Sequence, residues 1–132
     1  MNKLTQYGHP FQTKALAALV TDRDFLQQSS DIVSPDYFDS DASKWIVRKT
    51  LTYFNEYHTT PTMEVFKVEV EGIQNEVQAV AVKEQLKETY KSSQVKDLDY
   101  IKDTFLDFCK NQTLKNALIR SVDLLELGDY DD

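Results

Sequence analysis

Residues 97–127 read DLDYIKDTFLDFCKNQTLKNALIRSVDLLEL, a stretch without Gly or Pro. Asp97 stands at its start as an N-cap, a carboxylate able to accept from the free N–H groups of the first turn. Asp99 suits the positive end of the helix macrodipole. Gly128 follows where a left-handed residue would end the helix. Roughly thirty residues at about 1.5 Å each make a rod of about 45 Å. A compact domain of this size cannot wrap such a rod completely.

The apolar residues of this helix change face along its length. At roughly 100° per residue, Leu98, Ile101, Phe105, Phe108 and Cys109 share one stripe. Leu114, Ala117, Leu118, Val122 and Leu125 form a second, displaced by more than about a third of a turn. The polar run Lys110-Asn111-Gln112-Thr113 separates the two. The first stripe is expected to pack within its own domain. The second, carried by Leu114, Leu118, Val122 and Leu125, is expected to meet another copy of the chain or a partner protein. The competing reading is one helix crossing a single core obliquely.

The remaining sequence fits one helical domain. The chain has 132 residues, 41% of them hydrophobic, with seven Phe, seven Tyr and one Trp. That is enough for a core without a metal or disulfides. Cys109 is the only cysteine, so no disulfide framework exists, and a cytoplasmic location is expected. No apolar run approaches the length of a membrane span, so no membrane partner is expected. The 22 acidic and 15 basic residues leave a net charge of −7. A surface of that sign repels phosphate, and strong direct nucleic-acid binding is not expected.

Taken in order, residues 1–10 lack periodicity and read as a flexible arm, with His9 a solvated loop residue. A helix is predicted over about 12–28, from Ala15, Leu16, Leu19, Val20 and Leu26 at helical spacing, leaving Lys14 and Arg23 toward water. Ser34-Pro35-Asp36 reads as cap, first-turn proline and favourable acid, planting Tyr37 and Phe38 against the neighbouring helices. Ser40 or Asp41 caps a helix over about 41–58, with Val47, Leu51 and Phe54 as its stripe and Ile46, Tyr53 and Tyr57 beside it. Thr60 and Pro61 restart the chain as cap and first helical residue of a short helix to about 71, stopped by Gly72. Val68 and Val70 add some strand propensity there. Asn75 opens a helix through about 91, with Ala79, Val82, Leu86 and Tyr90 at helical spacing, and Ser92-Ser93-Gln94 turns into the long helix. The predicted fold is all-α: a small bundle over 11–72, then an antiparallel helical hairpin over 75–127. Its core is predicted to hold Leu16, Leu19, Phe38, Val47, Leu51, Phe54, Ile101, Phe105 and Phe108.

No motif for catalysis stands out. Asp39-Ser40-Asp41-Ala42-Ser43 begins like a calcium loop, but Lys44 holds the glycine position and Thr50 the position of the bidentate acid. Those acids read as caps and solubilising charge. His9 and His58 have no ligand-spaced partners, and Gly8, Gly72 and Gly128 are too scattered to cradle phosphates. No nucleophile elbow is present. No catalytic residue, cofactor site or metal site is expected.

An ordered series of residues does carry a resemblance. Phe11 with Ala15, Leu16 and Leu19 comes first, then Tyr37-Phe38, Trp45-Ile46 and Tyr53-Phe54-x-x-Tyr57. Pro61-Thr62 with Glu64-Val65-Phe66 follows, and Tyr100-Ile101, Phe105 and Phe108-Cys109 complete it. The series resembles the N-terminal domain of DnaB-type replicative DNA helicases, most of all the versions of T4-like bacteriophages. It spans about residues 11–132. Many bacterial members carry a His-Arg pair before the Ile of the third element, where this chain has Lys44-Trp45.

The resemblance implies a non-catalytic collar domain in DNA replication. It implies self-association through the hairpin, a hexamer in the full-length parent, and docking of a primase or helicase loader. In that family the domain precedes an ATP-driven motor; residues 129–132 would then begin the linker toward it. The alternative is a free-standing acidic helical adaptor or inhibitor that binds a replication protein. A third class, an enzyme whose site one sequence does not reveal, would need a pocket with converging acid and base groups.

Overall fold

Helix α1, Gly8–Thr21, is apolar on almost every side, and that decides the architecture. Phe11, Ala15, Leu16, Ala17, Ala18, Leu19 and Val20 are all buried. A helix apolar all round belongs at the centre of a bundle, and its alanines let neighbours approach closely. The computed structural model describes residues 3–127. Within them the chain is helical, with no strand.

The remaining helices are α2 (Arg23–Ser29), α3 (Asp41–Tyr57), α4 (Met63–Glu71), α5 (Glu76–Lys91) and α6 (Leu98–Glu126). Three short 3-10 turns, Leu4–Tyr7, Pro35–Tyr37 and Ser92–Gln94, join them. Helix α1 packs against α2, α3, α5 and α6; α3 packs on α5, and α4 on α5. The core binds these layers through aromatic contacts. Phe105 of α6 meets Phe25 at 5.9 Å and Phe38 at 6.0 Å, while Phe108 meets Tyr37 edge-on at 5.3 Å.

Local signals account for most of the element boundaries. Ser40 Oγ accepts from the Ser43 N–H, Asn75 Oδ1 from the Gln78 N–H, and Ser34 Oγ from the Asp36 N–H. Each satisfies a donor that helix geometry leaves open. Pro35 stands at the start of its turn, and Tyr37 and Phe38 are buried beside it.

Elsewhere the structure corrects the sequence reading. The segment read as a flexible arm folds from Lys3 onward: Leu4 is fully buried, and Gly8, at φ +84°, turns the chain into α1. His9 lies in the first turn of α1, with Nε2 3.0 Å from Glu88 of α5. The helix expected over 12–28 is two helices. Asp22, in extended conformation, breaks it, and its Oδ1 accepts from the Phe25 N–H to cap α2. That cap lets α2 turn Phe25 and Leu26 into the core. Helix α4 is capped by Thr62 instead of Thr60, and buried Pro61 lies ahead of the helix. His58 ends α3 in the left-handed conformation, φ 60°, and its carbonyl accepts from Arg23 Nε at 2.8 Å. Leu51 is half-buried against the core; Leu16, Leu19, Phe38, Val47, Phe54, Ile101, Phe105 and Phe108 are buried as expected.

The hairpin over 75–127 differs most. Helix α5 packs on α1, α3 and α4, and α6 on α1 and α2, so α5 and α6 do not close on each other along their lengths. The physical reason is α1. Its all-round apolar surface takes up the faces that a hairpin would have turned toward each other.

Candidate interaction surface

Helix α6 is one continuous element of 29 residues, about 44 Å long. Its proximal half belongs to the core: Ile101, Phe105, Phe108 and Cys109 are buried, and Gln112 is the last buried residue along it. Asp97 does not cap it with its side chain. Instead the Asp97 carboxylate takes Lys14 Nζ at 3.0 Å, tying the start of α6 to α1. One turn on, Lys102 Nζ donates to Asp22 Oδ2 at 2.6 Å. This hydrogen bond from Lys102, helped by the backbone N–H of Phe25, holds the Asp22 carboxyl below its ordinary value against the opposing effect of burial. Burial pushes the Cys109 thiol up to about 12, so it stays a protonated, apolar filler.

Past Gln112 the same helix leaves the body. Leu114, Leu118, Val122 and Leu125 are between 52% and 61% exposed. Sequence reasoning separated these residues from the core stripe, and the structure places them together on one side of the exposed half. It missed that Ile119, Leu124 and Leu127 are exposed as well, which widens the apolar arc. The signal was present: Ile119 and Leu127 lie about five full turns beyond Ile101 and Cys109, on the azimuth of the first stripe but past the end of the body. Exposed apolar patches are, as a class, enriched at sites where proteins meet other molecules. Where α6 departs, a cleft of about 340 Å³ lies among Val33, Tyr37, Thr113, Ala117 and Arg120.

The acidic loop before α3 is occupied by structural bonds. Asp39 Oδ1 accepts from Thr5 Oγ1 and Oδ2 from Gln12 Nε2, and the Gln12 amide oxygen accepts the Asp39 N–H in return. The Thr5 and Gln12 hydrogen bonds hold the Asp39 carboxyl below its ordinary value. Sequence reasoning assigned Gln12 no role; in the structure it is buried and fastens α1 to the loop. A second buried polar set joins Thr13, Gln85 and Thr89 between α1 and α5. Burial raises the Tyr37 and Tyr90 hydroxyls above the usual phenol range. Among the described residues no three His, Cys, Asp or Glu side chains converge as a metal-binding group. No helix among them is long and apolar enough to cross a membrane.

No protein-family model, curated protein or solved structure matches the chain.

Proposed function

We propose that this chain is a non-catalytic self-association and partner-docking domain of a phage-type hexameric replicative DNA helicase. The observation that carries the assembly reading is the distal half of α6, with Leu114, Leu118, Val122 and Leu125 exposed on a helix whose base is held in the core. Burying a handful of such side chains is worth about 1.5–3 kcal/mol each before association costs are subtracted. The helicase assignment rests on the ordered resemblance, from Phe11 through Tyr37-Phe38 and Trp45-Ile46 to Phe108-Cys109. In that reading the exposed half of α6 builds the collar, and a primase or loader docks on it.

The net charge of −7 favours a second reading, an acidic adaptor that acts without a motor. Reading the coding region downstream of Asp132 separates the two. A frame that continues into a phosphate-binding loop and a motor domain supports the helicase; a frame that stops there overturns it in favour of the adaptor. The chain by itself is expected to show no ATPase. It is also expected to bind DNA only feebly at physiological salt, which a titration with single strands and duplexes checks.

A further inference from the structure

We infer that α4 is a releasable strap: it opens as a unit, ahead of global unfolding, while the bundle beneath it stays folded. The segment is pinned at both ends. His58 closes α3 in the left-handed conformation with its carbonyl held by Arg23, and Asn75 caps α5. Between these points it is free of polar ties. Among the described residues, 59–74 hydrogen-bond only within themselves, and the Thr62 cap is long at 3.4 Å. Lys67 pairs inside α4, with Glu64. Lys49 of α3 reaches Glu69 at 3.6 Å, in an exposed geometry that holds the helix weakly.

The sequence of α4 is divided between two periods. Phe66-Lys67-Val68-Glu69-Val70-Glu71 alternates apolar and polar residues, the pattern of a half-buried strand. Folded as a helix, the same residues bury Phe66 and Val70, one turn apart, and leave Val68 72% exposed on the opposite side. The β-branched valines lower its helix propensity further. With nine residues it is shorter than the roughly 12–15 that sustain an isolated helix, so it depends on tertiary packing.

That packing is thin. Clefts of about 350 and 570 Å³ flank α4, the first against Tyr53 and Tyr57 of α3, the second against Val80 and Leu86 of α5. Few buried side chains and open flanks are the marks of a segment that opens below the free energy of the whole. Helix α3 packs on α5 directly, so the layers hold when the strap lifts. Lifting removes the wall that the clefts share and leaves one apolar trough along α3 and α5. This inference is independent of what the distal half of α6 meets.

Hydrogen exchange of the full chain, read by mass spectrometry in dilute solution, tests it. Amides of 63–73 are expected to be at least about a hundredfold less protected than those of α1. Val68→Pro breaks α4 while removing no core atom. It should abolish protection in 63–73, leave that of α1 within about twofold, and raise the fluorescence of anilinonaphthalene sulfonate at least about twofold. Val68→Ala, a better helix former, should raise protection about two- to threefold in 63–73 alone. Equal protection of 63–73 and α1 in the wild type overturns the strap. So does a Val68→Pro chain that fails to fold, or that loses protection in α1 as much as in α4. Val68→Ala raising protection throughout the bundle overturns it too, and unchanged dye fluorescence overturns the trough.

Discussion

The two halves of α6 have the same backbone and opposite surroundings. From Leu98 to Gln112 the helix buries Ile101, Phe105, Phe108 and Cys109 against α1 and α2; from Leu114 to Leu127 it exposes almost every apolar side chain it has. Apolar content does not distinguish them. What differs is whether another element of the chain stands opposite. The proximal half contributes to the stability of the monomer, and the distal half has no other element of the described chain to bury against.

The sharpest separation is chemical. Cys109 is buried, with its thiol held protonated. Alkylation at mildly alkaline pH should therefore proceed only through opening of the fold, at least about a thousandfold slower than in denaturant. A cysteine placed distally, Leu118→Cys in a Cys109→Ala background, should label at nearly the rate of an unfolded peptide in dilute solution. Equal rates for the two would erase the distinction between the halves.

Stability comes next. Phe105→Ala should cost about 3–5 kcal/mol through the lost burial and the cavity left between Phe25 and Phe38. Phe105→Asp adds an unpaired buried charge and should abolish the cooperative transition. At Leu118, which has no such neighbours, Ala or Asp should change the unfolding free energy of the monomer, read by chemical denaturation, by less than about 0.5 kcal/mol. If Leu118→Asp unfolds the monomer, the distal half is part of the core after all.

A smaller effect probes how the proximal half is anchored. Asp22 both caps α2 and takes the Lys102 ammonium. Asp22→Ala should cost about 1–2 kcal/mol, and Asp22→Asn less, because Asn retains the cap. The carboxyl titrates lower in the folded chain than in the unfolded one, whose value is near 3.8. Its stabilisation is thus present above that value and lost as pH falls through the lower folded one. Acid denaturation of either variant should accordingly be flatter below about pH 4 than that of wild type. An unchanged acid limb would mean that Lys102 does not hold α6 to α1 and α2.

The sequence by itself determined most of where the chain is helical and which residues of α6 part company. Ser34, Ser40 and Asn75 could be read as caps because capping is decided within a turn or so of chain, by one side chain and one N–H. The separation of Leu114, Leu118, Val122 and Leu125 from Ile101, Phe105 and Phe108 followed from helical geometry alone. Tertiary structure decided the rest. Asp22 splits what periodicity reads as one helix, because turning Phe25 and Leu26 inward and holding Lys102 offset the lost helical bonds. Leu4 folds onto the core although nothing periodic surrounds it. Asp97, a sound cap by type, is drawn to Lys14. The largest departure, α5 and α6 meeting α1 in place of each other, arises because an apolar face specifies burial without specifying a partner. Helix α1 is apolar on nearly every side, and only the assembled bundle shows which helices it serves.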